Sequence, residues 1–288
     1  MKFGIITLAT DADYRKAIGL ALSVRVSNPG VPLAVACTNN VIDLLRPYYD
    51  YVIPQDESII GFRQKVHLDI YSPFDVTFYF DSDILIFRDL TEIVELWSKQ
   101  PYTATGVYMV DGFSSFYLDR AAVLKKIRKD KLVVIDGAGH ALFLKPQCLD
   151  IFDFAREISA KHKEYCGDIR YADEDVMDIV MTVKNLAPAP HGDFFSRYLT
   201  AVPGTLIMDA TKGQCEMIAQ HSGLILKPYM MHFAANEAPF AYAWQLYKLF
   251  KKNHVSTNGL LWFAVSKTWR NKFFWPLKKF VKTLFRVR

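Results

Sequence analysis

Acidic residues run out before the chain does. After Glu237 there is no Asp or Glu, while eleven of the 35 Lys and Arg fall in that stretch. The body up to Glu237 keeps 24 basic against 30 acidic residues, a net of −6, and the remainder carries +11. An acidic body excludes a nucleic-acid reader, because phosphate affinity needs a basic face on the reading domain. Cysteine is also scarce. Cys37, Cys148, Cys166 and Cys215 are far apart and contain no C-x-x-C pair, which excludes a thiolate zinc site and a disulfide scaffold and fits a reducing compartment. No apolar run is long enough to cross a bilayer. Phe3–Ala9 is apolar, but Asp11 and Asp13 follow with no small-residue cleavage site, so the segment reads as a buried strand of a cytosolic protein and not as an export signal. Repeats and low-complexity segments are absent too. What remains is 288 residues with 51% hydrophobic and 23% charged side chains, enough for a sizeable core in one large or two modest domains.

One pattern fills the first third. Apolar runs at Phe3–Ala9, Leu33–Cys37, Tyr51–Ile53 and Val76–Phe80 read as strands. Between them lie helical spacings at Asp13–Ser27 (cap at Asp11 or Asp13), near Asn40–Tyr48, and at Phe62–Tyr71, closed by Ser72-Pro73. Strands alternating with helices predict a parallel α/β sheet, whose ligands sit beyond the carboxyl ends of the strands. Further on, helices are expected at Leu90–Lys99, Asp119–Asp130, Gln147–His162 and Asp173–Val183, and strands at Thr103–Tyr108 and Ala138–Leu144.

Asp81-Ser82-Asp83 closes the strand Val76–Phe80. Two carboxylates one residue apart suit a hard divalent cation, which takes oxygen ligands and neutralises a diphosphate leaving group. D-x-D pairs are common: with 22 Asp about two arise by chance, and Asp11/Asp13 and Asp173/Asp175 are others. A solvated turn is the competing reading; position at the end of a buried strand favours function.

These residues resemble a family. Lys65-Val66-His67-Leu68-Asp69-Ile70-Tyr71, followed by Phe78-Tyr79-Phe80-Asp81-Ser82-Asp83-Ile84-Leu85, is similar to the lysine helix and D-x-D strand of glycogenin-type retaining glycosyltransferases (family 8, GT-A fold). Lipopolysaccharide galactosyl- and glucosyltransferases belong to the same family. The run Ile5–Tyr14 resembles its uracil-cradling loop. The resemblance covers about residues 1–240. It implies that Leu8, Ala9, Thr10 and Asp11 hold the base of UDP, with Tyr14 in the stacking place. It also implies that Asp81, Asp83 and His232 of Met231-His232-Phe233 bind Mn²⁺ (or Mg²⁺), with Ser82 and Lys65 at the donor. Without it, His232 on an apolar stretch reads as a core histidine. Asp173-Glu174-Asp175 resembles the family's D-Q-D helix start, implying that Asp173 holds the sugar and Glu174 faces the anomeric carbon; a helix-dipole charge cluster is the alternative. Gly137-Ala138-Gly139 resembles the small-residue turn beside the sugar.

There are departures. Gly137 stands where the family has Asn, with Asp136 or His140 as substitutes. Ala235 and Ala238 replace a glycine and the lysine that reaches the diphosphate, leaving Lys227 or a tail residue to compensate. Glu174 replaces the glutamine.

Leu277, Phe280, Val281, Leu284 and Phe285 recur at helical spacing after Pro276, opposite Lys278, Lys279, Lys282 and Arg286, with Trp262, Trp269 and Trp275 upstream. Such a basic amphipathic helix suits an anionic membrane surface; docking on the acidic body is the alternative.

The expected architecture is a single GT-A type α/β domain over 1–245, a Rossmann-like mixed sheet flanked by helices. A basic, aromatic tail over 246–288 is expected to associate with the cytoplasmic face of a membrane. The implied activity is metal-dependent hexosyl transfer from a UDP-sugar to a cell-surface glycan or lipid-linked acceptor, with retention. Two rivals are an aspartate-dependent phosphohydrolase, whose loop wants Thr or Val where Leu85 stands, and an inactive adaptor of the same fold.

Overall fold

The computed structural model describes residues 2–136, 139–191, 195–197 (backbone), 200–233 and 238–270. The strands are β1 (Gly4–Ala9), β2 (Leu33–Cys37), β3 (Tyr51–Pro54), β4 (Val76–Phe80), β5 (Ile84–Ile86), β6 (Tyr102–Thr103), β7 (Gly106–Met109), β8 (Leu132–Ile135), β9 (His140–Leu144), β10 (Phe195–Arg197), β11 (Ile207–Asp209), β12 (Gln214–Ile218), β13 (Ile225–Leu226) and β14 (Met230–His232). A six-stranded sheet runs in the order β3-β2-β1-β4-β9-β6. Its first four strands are mutually parallel; β9 is antiparallel to β4, and β6 to β9. The parallel expectation therefore holds for one half of a mixed sheet.

Helices cover both faces, which is why the strands read as continuous apolar runs. Alternation along each strand still sorts the side chains. Ile5, Phe78, Phe80 and Leu142 pack toward the helices Tyr14–Ser27 and Pro239–Lys252. Ile6, Tyr79, Ala141 and Phe143 pack toward Leu149–Ala160 and Asp173–Val183. Burying a side chain such as Phe78 contributes roughly 1.5–3 kcal/mol. At the crossing of the first two helices, a Cβ on Gly19 would meet Leu246 Cδ2 at 2.1 Å. Leu246, Leu249, Phe250, Leu260 and Ala264 are buried, so the described part of the 246–288 segment is joined to the body.

Several local expectations need correction. Phe62–Tyr71 is a 3₁₀ turn, Gly61–His67, leading into a short α-helix, Leu68–Tyr71, that ends at the Ser72-Pro73 breaker. Thr103–Tyr108 is two strands in two sheets. At Gly106 a Cβ would meet the Val134 carbonyl oxygen at 2.3 Å, so glycine permits β7 to approach β8 closely. Asp13 does occupy the cap position of Tyr14–Ser27, but its carboxylate accepts from Thr10 Oγ1 and Lys16 Nζ, not from a backbone N–H. Strands β5 and β8 have no counterpart in the expectation. All four cysteines are free and buried. The Pro276–Arg288 helix lies outside the described residues. Among the described residues no helix is long and apolar enough to cross a membrane.

Candidate active site

Asp81 leaves β4 at its carboxyl end, and Asp83 stands one residue before β5. β14 pairs antiparallel with β5 so that His232 lies opposite Ile84. That register delivers the imidazole: His232 Nε2 is 3.0 Å from Asp83 Oδ1 and 3.9 Å from Asp81 Oδ2. Backbone bonds fix both carboxylates, Asp81 N donating to Gly139 O at 2.7 Å and Phe233 N to Asp83 O at 3.1 Å. The ligand atoms of Asp81, Asp83 and His232 all lie within 4.8 Å of one another. Two carboxylates and one imidazole, nearly buried, are a donor set for a hard or borderline divalent cation. Gly139 leaves room for it, since a Cβ there would stand 3.0 Å from the His232 ring and 3.3 Å from Asp81 Oδ2. The residues fit a divalent metal.

Lys65 ties this group to a second helix. Its Nζ is 2.9 Å from Asp81 Oδ1 and 2.9 Å from Asp173 Oδ2, so one buried ammonium bridges two carboxylates from distant segments. Tyr79 hydroxyl also donates to Asp81. Burial opposes the Lys65 charge, but Asp173 and Asp81 hold its pKa well above the ordinary value. Burial pushes the Asp173 carboxyl up and Lys65 opposes it. Burial likewise pushes Asp83 up, yet the hydrogen bond and charge of His232, then Lys16, hold it below its usual range. The partner shift is consistent: burial disfavours the His232 imidazolium, and Asp83 and Asp81 raise its pKa above 6.5.

Asp173–Val183 is the helix the sequence predicts. Its buried face holds β8 in place: Asp178 Oδ1 accepts from Ile135 N, and Thr182 Oγ1 from Val133 N, both at 2.8 Å. Burial raises the Asp178 carboxyl well above 3.8 and Asp175 to about 6. Glu174 is half-buried between Asp173 and Asp175.

His140, next to Gly139, hydrogen-bonds Thr105 Oγ1 through Nε2 at 2.9 Å, and burial lowers its pKa to about 3. The unfolded chain takes up this proton near pH 6.5 and the folded one does not, so the contribution is full above 6.5 and is lost as pH falls toward 3. At pH 5 the loss is about 2 kcal/mol, from roughly 1.5 pH units at 1.36 kcal/mol each. His140→Gln should be less stable than wild type at pH 7.5, with the gap in unfolding free energy closing by that amount at pH 5. A gap independent of pH would mean that His140 titrates normally in the fold.

The site opens on a cleft of about 730 Å³. The loop Leu8–Asp11 lines it, as do Asp81, Ser82, Asp83 and Lys65. Asp11 is held by Thr38 Oγ1 at 3.2 Å and Asn40 Nδ2 at 3.3 Å. Tyr14, next to the lining Asp13, is half-buried against the core, its hydroxyl accepting from Arg15 Nε at 3.2 Å. Gly137, Ala138 and Ala235 lie outside the described residues. Ala238 caps the Pro239–Lys252 helix with φ 46°, and Lys227 pairs with Glu216 at 3.5 Å. Two lining cations, Lys16 and Arg170, went unnoticed in the sequence. Lys16 follows Asp13 by three residues, an ion-pair spacing available as a signal; Arg170 carries none.

No protein-family profile matches the chain, and no curated protein sequence does. Solved structures do match. The galactosyltransferase LgtC, in complex with donor and acceptor sugar analogs, superposes with TM-score 0.54 at 18% identity over 94% of this chain and 100% of its own. An active-site mutant of LgtC in which glutamate replaces glutamine gives TM-score 0.55 at 16% identity, covering 86% of this chain and 95% of its own. The apo glycosyltransferase GlyE of Streptococcus pneumoniae TIGR4 gives 0.57 at 14% identity, over 92% of this chain but 64% of GlyE. The chain has the GT-A glycosyltransferase fold. Within a GT-A fold, Asp81, Asp83 and His232 sit at the carboxyl edge of the parallel half of the sheet, where open α/β sheets bind ligands.

Proposed function

We propose that this protein is a metal-dependent glycosyltransferase that moves a hexose from a UDP-sugar to a glycan or lipid-linked acceptor, with retention of configuration. The observation that carries the reading is the Asp81, Asp83 and His232 group beside a cleft large enough for a nucleotide. Mn²⁺ is the proposed cation, with Mg²⁺ as the substitute; when bound it neutralises charge on the departing diphosphate. The protein's own groups do the rest. Leu8, Ala9, Thr10 and Asp11 hold the base, with Tyr14 next to them in the chain. Lys65 holds Asp81 and Asp173 in place. Asp173 accepts hydrogen bonds from the donor sugar, Gly139 gives it room, and Glu174 stabilises positive charge at the anomeric carbon. The test is a panel of nucleotide sugars with Mn²⁺, read by nucleotide release. Release from UDP-sugars is expected; release of phosphate from simple phosphomonoesters in its place would transfer the site to the phosphohydrolase reading.

An anionic membrane surface is the proposed third partner, through the 246–288 segment. Support comes from its described part, where Trp262 is 73% and Trp269 60% exposed near Lys267 and Arg270. Deleting Pro276–Arg288 should release the protein from anionic vesicles and leave UDP binding intact, and salt should weaken vesicle binding in the full chain. A lower melting point with no vesicle binding by the full chain would assign the segment to the core.

A further inference from the structure

Lys16 has no place in the resemblance, yet it is one of the cations that line the cleft. It sits in the first turn of the helix Tyr14–Ser27, only 8% exposed, and lines the cleft between the Leu8–Asp11 loop and the Asp81–Asp83 loop. Its Nζ is 2.8 Å from Asp13 Oδ1 and 3.9 Å from Asp83 Oδ2. Burying an ammonium costs several kcal/mol unless it is compensated. Asp13 supplies that compensation and is itself fixed by Thr10 Oγ1 at 3.0 Å. A nucleoside diphosphate that places its base on one loop and its terminal phosphate on the other must pass Lys16.

Lys65, the other buried ammonium of the cleft, is held at 2.9 Å by two carboxylates, Asp81 and Asp173, whereas Lys16 has one close carboxylate, Asp13, with Asp83 at 3.9 Å. Meanwhile Ala238 offers no charge at the start of the helix packed beside Tyr14–Ser27.

We infer that Lys16 binds the diphosphate of the nucleotide donor from the helix Tyr14–Ser27. This rests on the UDP-sugar reading above and names a residue that holds the phosphates in this chain.

The experiment is calorimetric titration of the full chain in Mn²⁺ with two probes, UDP and uridine. Lys16→Met, which keeps the buried stem and removes the charge, should weaken UDP at least tenfold and leave uridine within twofold. Lys16→Arg should recover UDP to within about threefold of wild type. If Lys16→Met does not fold, Lys16→Gln takes over the test, with the same expected UDP loss and uridine unchanged. UDP affinity equal to wild type in Lys16→Met, or in Lys16→Gln where it stands in, would overturn the inference while leaving the glycosyltransferase reading intact. A wild-type protein that binds UDP no better than uridine would overturn both.

Discussion

Asp83→Asn should abolish the metal dependence of UDP binding. With UDP near a hundred times its Kd, wild type gains about 2.7 kcal/mol of stability by mass action, visible as a rise of several degrees in melting temperature. The rise should appear with Mn²⁺ and largely vanish in EDTA, because the diphosphate would reach Asp81 and Asp83 only through a shared cation. In Asp83→Asn the two conditions should match. The amide can still accept from His232 Nε2, which lies 3.0 Å from Asp83 Oδ1, so the melting point without ligand should barely move. Turnover should drop by at least a thousandfold, about 4 kcal/mol of transition-state free energy. Equal stabilisation by UDP in EDTA and in Mn²⁺, in wild type, would remove the metal from the account.

The second large effect should come from Asp173 and not from its neighbour. Asp173 is buried, and Lys65 Nζ stands 2.9 Å from its carboxylate and 2.9 Å from that of Asp81. Asp173→Asn therefore removes a charge-assisted contact to the sugar and leaves Lys65 to pull on Asp81 alone. A loss of at least a hundredfold in turnover is expected, about 2.7 kcal/mol. Glu174→Gln should stay within about tenfold, or 1.4 kcal/mol, because a front-face reaction needs a dipole at the anomeric carbon and not a nucleophile. Steady-state kinetics on the two variants decides it. A glycosyl adduct on Glu174 in the mass spectrum, with a loss of several orders of magnitude in Glu174→Gln, would establish a double displacement.

The parallel strands and the Asp173–Val183 helix were legible because their patterns are local. Val76–Phe80 reads as a strand from five consecutive β-formers, and Asp81-Ser82-Asp83 reads as its exit. The 3₁₀ turn at Gly61–His67 was not legible, since it is held by tertiary bonds: Arg156 Nη1 donates to the Val66 carbonyl and Arg63 Nη1 to Ser159 Oγ, both at 3.0 Å. β5 and β8 were missed for a similar reason. Each is three or four residues long and gains definition only from its partner, β14 for the one and β7 for the other.

By itself the sequence determined the charge split at Glu237, the alternating αβ order, and the identity of the acidic pairs. Those are properties of composition and of spacing over a few residues. Only the tertiary structure shows which acidic pair meets a histidine. Of Asp11/Asp13, Asp81/Asp83 and Asp173/Asp175, the resemblance pointed to the second, and the antiparallel pairing of β14 with β5 brings His232, 149 residues away, to it. Likewise Lys65 meets Asp173, from a distant segment, only in the fold. The motifs are local, but the contacts between them form only when distant strands come together, which spacing along the chain does not show.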